Sequence, residues 1–224
     1  MMHVDVSKRM NRLTTIAIVG VVFFAASATL LPLVSEYSFA GDYISELAIG
    51  RFGYVQTVAF FTLGLGALAL SLGVREATRG SWGSRVGAVL LGIFGVSLLL
   101  AGIFPTDAID AAGRTHSPST AGSIHIVVSL LAFASVISCM FVLSRTFKRD
   151  ARWRSFWPYS LVLAFTALMT FFLNGDGRWT GLYQRAFIGT ILSWLVLAAI
   201  WLRSIASESV ESKGVTDETG KSAS

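Results

Sequence analysis

Few polar side chains in this sequence stand where they could do chemistry, and they fall in three stretches. The first reads FAGDYISELAIGRFG. In a short helix over it, Asp42, Ser45 and Glu46 share one face, because positions three and four apart are neighbours. Ser45 could equally cap a helix, and the plain alternative is a solvated segment at a membrane surface. The second stretch reads GIFPTDAIDAAGRTHSPSTAGSIH. Asp107 closely follows the end of an apolar run, and His116 lies beside Pro118, a residue suited to a first helical turn. His125 falls about seven residues inside the next apolar run, roughly 10 Å below its start at 1.5 Å per residue. The third reads NGDGRWTGLYQR, where Asn174, Asp176 and Gly177 mark a turn and Gln184 and Arg185 enter the last apolar run.

Histidine and arginine are costly inside a membrane and face the bundle interior or a partner there. An isolated Arg185 at that depth costs about 2.5 kcal/mol or more, so it must pair or snorkel outward. Glu46 and Asp107 are the preferred partners, each near a helix end. Ser45, Glu46, Asp107, His125, Gln184 and Arg185 then form a candidate polar pocket under the outer surface. Arg185 would meet a phosphate or carboxylate, and His125 would donate a hydrogen bond or move a proton. The plain alternative is that these residues lock helix ends together. A Ser45–His125–acid hydrolase is conceivable by residue type. Asp107, His116 and His125 match no standard metal spacing, so no metal is expected. HExxH, Walker, GxSxG and CxxC motifs are missing. The residues leave catalysis and any cofactor undecided.

The elements that must position these groups are membrane helices. Of the 224 residues, 54% are hydrophobic and 14% charged, against about 25% charged in soluble domains. A spanning helix needs about 20 mostly apolar residues. Six runs qualify: Leu13 to Val34, Tyr54 to Val74, Gly83 to Phe104, Ser119 to Leu143, Trp157 to Leu173 and Leu182 to Leu202. They are continuous, without the period-2 alternation of a membrane barrel. The fold class is therefore an all-α polytopic bundle of six transmembrane helices. Residues 1–12 form an N-terminal segment, 13–203 the bundle, and 204–224 a polar tail expected to be disordered.

Basic residues alternate loop by loop. Fourteen of the eighteen lie in segments assigned to the cytoplasm, leaving Arg51, Arg114, Arg178 and Arg185 on the other side. The positive-inside rule then places both termini in the cytoplasm and the protein in the cell membrane. The net charge of +5 follows from those loops, and no nucleic-acid partner is implied. The first run is too long for an ordinary signal peptide, despite the Ser38-Phe39-Ala40 stretch that resembles a cleavage site. Cys139, the single cysteine, reads as a small buried apolar residue. Gly83, Gly87, Gly92 and Gly95 read as close helix packing.

The ISEL segment after the first run, FPTD ending the third, GSIH entering the fourth and QRAFIG entering the sixth resemble a bacterial and archaeal membrane family, domain of unknown function 998. The resemblance covers roughly residues 13–203 and implies the six-helix layout. It also implies that Ser45, Glu46, Asp107, His125, Gln184 and Arg185 belong to a family pattern, while assigning no activity. There is a looser similarity to six-helix membrane proteins of the Frag1/DRAM/Sfk1 type, which are associated with lipid handling. The alkaline ceramidase and progestin-receptor superfamily fits less well, because the paired histidines of its last helix are missing here.

Three functions compete: a site for a lipid headgroup or small anion, a small or proton-coupled transporter, and a structural or partner-binding bundle. Membrane lipids are the expected partners. A sideways opening to lipid favours the first, a water path past the midplane the second, and a sealed cluster the third. Reporter fusions at Asp110 and Ser224 should report opposite compartments; the same compartment for both would refute the topology.

Overall fold

The computed structural model describes residues 2–78, 80–108, 119–173 and 178–221, with side chains described from residue 6 to residue 207 of these. His116, Asp110 and Asp176 lie outside the described residues. Among the described residues six α-helices follow one another: α1 Met2–Leu30, α2 Gly53–Ala77, α3 Trp82–Ile103, α4 Thr120–Arg149, α5 Trp157–Phe172 and α6 Thr180–Lys221. Two 3-10 helices, Leu31–Val34 and Ile44–Ala48, lie between α1 and α2. No described residue is in a strand. Five helices are long and apolar enough to cross a bilayer, and α5, with 16 residues, is shorter. This is the all-helical bundle read from the sequence.

Local chemistry sets the helix ends. Pro32 follows α1 and opens the first 3-10 helix, and Pro158 occupies the first turn of α5, where its missing N–H costs nothing. Gly80 turns the chain between α2 and α3 at φ +103°, a conformation that disfavours a side chain. The Ser81 and Ser119 hydroxyls cap α3 and α4 by accepting the N–H groups of Ser84 and Gly122. At its far end α6 keeps helical backbone to Lys221, where composition predicts a disordered tail from Ser204. No proline interrupts that stretch, and glutamate and lysine sustain a helix once it has begun.

Each helix packs against the next in chain order, and α6 closes the ring against α1. Small residues let α2 and α3 touch by backbone: a Cβ on Gly64 or on Gly95 would lie 2.8 Å from the other's carbonyl oxygen. Gly83 and Gly87 meet Thr146 and Leu143 of α4. Gly92 faces only Ser71, at 3.8 Å. Cys139 is buried in the α3–α4 seam, its thiol on the Gly87 carbonyl, as an apolar residue of that size would be.

The half of the bundle where α4 ends and α5 begins is sealed. Phe147 stacks on Trp153 at 4.2 Å, and both are buried. Beside them the Trp194 indole N–H donates to the Ser160 hydroxyl at 2.8 Å. Ser160 bonds Ser144 at 2.7 Å, and Ser144 gives its own proton to the Met140 carbonyl at 2.7 Å. That last bond fixes the direction of the chain, so Ser160 donates to Ser144 and every member is satisfied. Three helices are joined by it in a buried layer. Ser160→Ala should strand the buried indole N–H and cost about 1–3 kcal/mol in reversible unfolding from mixed micelles. Adding Trp194→Phe should restore part of the loss, whereas a double variant worse than the single would refute the relay.

Candidate functional site

The C-terminal end of α3 sets the geometry of the site. Residue 105 is proline, which cannot donate the N–H that the Ala101 carbonyl would receive in a continuing helix. The Phe104 carbonyl, just beyond, has no helical partner either. His125 of α4, 5% exposed, places Nδ1 at 2.8 Å from the Phe104 oxygen, with the Ala101 carbonyl also beside the ring. A carbonyl only accepts, so Nδ1 carries the proton. The ring edge packs on Phe60 at 6.1 Å.

Asp107, a few residues on, turns to the start of α4. Its Oδ2 accepts the Ser119 N–H at 2.9 Å, and the carboxylate occupies the space that a side chain on Gly122 would need. Only glycine there lets an anion so close to the first turn, whose exposed N–H groups favour negative charge. The backbone and hydroxyl of Ser119 hold the Asp107 carboxyl below the usual carboxylate range.

The loop between α1 and α2 is latched to α6. The Gln184 Oε1 accepts the Ile44 N–H at 2.7 Å, and the Leu182 N–H donates to the Ala40 carbonyl at 3.0 Å. The Arg185 Nη1 donates to the carbonyls of Asp42, at 3.1 Å, and Gly181, at 3.0 Å. The sequence predicts a carboxylate partner for Arg185, from Glu46 or Asp107. Its hydrogen bonds run instead to main-chain oxygens, and its charge rests on aromatic faces, 4.3 Å from the Phe39 ring centre and 5.5 Å from that of Tyr37. The two carboxylates are engaged elsewhere: Asp107 at the start of α4, and Glu46 through an Oε2 that accepts the Tyr43 N–H at 2.8 Å. The Tyr37 hydroxyl closes the same loop by donating to the Tyr43 carbonyl. Burial raises the Tyr37 phenol above its ordinary range, against the opposing effect of the Arg185 guanidinium.

Below this latch lies a cavity of about 300 Å³, at the small end of the roughly 300–1,000 Å³ range of ligand sites. Ser45, His125 and Gln184 line it, and Glu46, Asp107 and Arg185 do not. The structure thus brings three of the six candidate residues to one space and gives the other three to the surrounding backbone. Sequence reading missed Tyr43, Ser97, Thr106 and Ser129, which also line the cavity. Serines inside apolar helices are a weak signal, because they ordinarily satisfy themselves on the preceding turn. The rest of the wall is apolar and aromatic, from α1, α2, α3, α4 and α6.

Two wall residues of α4, Ile126 and Leu130, are 55% and 54% exposed on the outside of the bundle. The cavity therefore reaches the lipid-facing surface along the outer half of α4. α5, which stands between α4 and α6 in the ring, contributes nothing to the lining. Its end meets the other two helices lower down, where Phe171 packs on Phe133 at 6.2 Å and on Phe187 at 5.4 Å. Those rings form the sill of a side opening.

A family model described as "Protein of unknown function (DUF998)" matches residues 17–201. The chain belongs to this family. No curated protein matches it, and no solved structure does. Among the described residues of this DUF998 chain, no group of three or more His, Cys, Asp or Glu side chains could hold a metal ion. The latch gives a direct expectation for the DUF998 chain. Gln184→Leu and Arg185→Ala should each speed amide hydrogen exchange at Ile44 about tenfold, the equivalent of about 1.4 kcal/mol of local opening. Exchange in α2 and α3 should hold steady. Unchanged exchange at Ile44 in both variants would refute the latch.

Proposed function

We propose that this protein binds a membrane lipid from the side, seating an apolar chain in the cavity with the polar end at His125, Ser45 and Gln184. The observation that carries this reading is the cavity's form. It is apolar over most of its wall, polar at its outer end, and open toward lipid at Ile126 and Leu130 rather than sealed. Polar groups facing such a space find partners only in a ligand or in bound water, because hydrocarbon offers none. The expected membrane lipids suit the reading directly, and the cell membrane is its proposed location.

Carrier function draws less support. Beyond the cavity the bundle interior is filled by the buried Trp194, Ser160 and Ser144 layer. An anionic headgroup seated in the cavity does not meet Arg185, which is no part of its wall and whose Nη1 donates to the Asp42 and Gly181 carbonyls.

Mass spectrometry of protein released from native vesicles tests the reading. Wild type should retain a lipid through detergent washing. Ser129→Phe, which fills the space from a lining position, should lose it while unfolding at the same or a higher temperature. A wild type that carries nothing, or a filled variant that carries the same lipid as before, would refute the proposal.

A further inference from the structure

We infer that the lipid is uncharged and that its polar end is a hydroxyl group, which donates to His125 Nε2 and accepts from the amide of Gln184. This deepens the lipid-binding reading above and rests on it. The first ground is charge. Among the described residues, no Asp, Glu, Lys or Arg side chain lines the cavity. A carboxylate or phosphate entering it would leave water without meeting a cation, and an unpaired charge in a low-dielectric space is far more costly than an unpaired hydroxyl.

The second ground is the hydrogen-bonding complement left at the polar end. Pro105 ends the α3 ladder, so His125 spends Nδ1–H on the Phe104 carbonyl. A neutral imidazole with a proton on Nδ1 has a bare lone pair on Nε2, which is an acceptor. Among the described residues, no hydrogen bond occupies that nitrogen. Gln184 spends Oε1 on the Ile44 N–H, so what remains to it is the amide NH2, a donor. Ser45 lines the same end, and its hydroxyl makes no hydrogen bond among the described residues. The protein therefore presents an acceptor, a donor and an adaptable hydroxyl. An alcohol both donates and accepts, and it fits that set. A carboxylate offers only acceptors and would set its lone pairs against that of Nε2. An ester or ketone would use the amide and leave the histidine unmet.

The backbone explains why this complement is stable without ligand-induced change. Nδ1 is held by a helix-end carbonyl and Oε1 by the latched loop, so both side chains are oriented before anything binds. A preorganised site loses less on association than one that must order its side chains.

The test uses full-length protein in nanodiscs of neutral phospholipid and three probes with the same chain: dodecanol, dodecanoate and dodecane. Binding is read by native mass spectrometry and by displacement of a fluorescent long-chain alcohol. Dodecanol should bind about tenfold more tightly than either of the others, the scale of one to two satisfied hydrogen bonds. His125→Phe should remove that preference. Should that variant fail to fold because the Phe104 carbonyl is stranded, Ser45→Ala carries the same test from a residue that bonds no described neighbour. It should weaken dodecanol severalfold and leave dodecane unchanged. Dodecanoate binding as well as dodecanol, or dodecane binding as well as dodecanol, overturns the alcohol assignment and leaves lipid binding standing. Binding of none of the three overturns both.

Discussion

A carbonyl or N–H group in hydrocarbon has no water to turn to, and the outer end of this bundle is organised by that constraint. Pro105 interrupts the α3 ladder, and His125 answers by giving its Nδ1 proton to Phe104. The first turn of α4 begins with exposed N–H groups, and Asp107 with Ser119 covers them. The loop between α1 and α2 brings main-chain groups to the α6 end, and Gln184 and Arg185 take them up. Side chains that look like a catalytic set in the sequence thus spend their first bond on backbone. What the cavity receives is only the remaining half of each: the far nitrogen of an imidazole, and the amide of a glutamine.

Packing divides the ring into a closed side and an open one. Glycines bring α2 and α3 into backbone contact, and the α3–α4 seam closes around Gly83, Gly87 and Cys139. Such seams are dense and leave no room for a ligand. Between α4 and α6 the arrangement differs, since α5 bridges them through large aromatic rings and contributes no residue to the cavity wall. The opening is therefore a consequence of one helix being short rather than of any pair being badly packed.

The helix bundle was legible in the sequence because each span is a continuous apolar run bounded by charge or proline, and hydrocarbon permits no other reading of such runs. The burial of His125 was legible for the same reason, from its depth in a run that excludes polar groups. The partner of Arg185 was not. A search for acids near helix ends treats the backbone as satisfied, whereas the Asp42 and Gly181 carbonyls take up the Nη1 protons. The place of Asp107 over α4 depended on Gly122, and a glycine in a helix entry gives no hint of what will occupy the space its side chain leaves. Ser97 and Ser129 stayed hidden because a serine facing a cavity and one facing the preceding turn have the same neighbours in sequence.

The brevity of α5 also acts on the surrounding bilayer. At 1.5 Å per residue its 16 residues span about 24 Å, against a hydrocarbon thickness of about 30 Å. Its neighbours α4 and α6 are much longer. Lipids along that flank must thin by about 6 Å or tilt their chains to cover the helix, at fractions of a kcal/mol per ångström. The mismatch is one-sided, so any thinning would fall on the flank where the bundle opens. Bilayer elasticity would then gather short or loosely packed lipids beside α5, and favour thinner membranes for the protein as a whole.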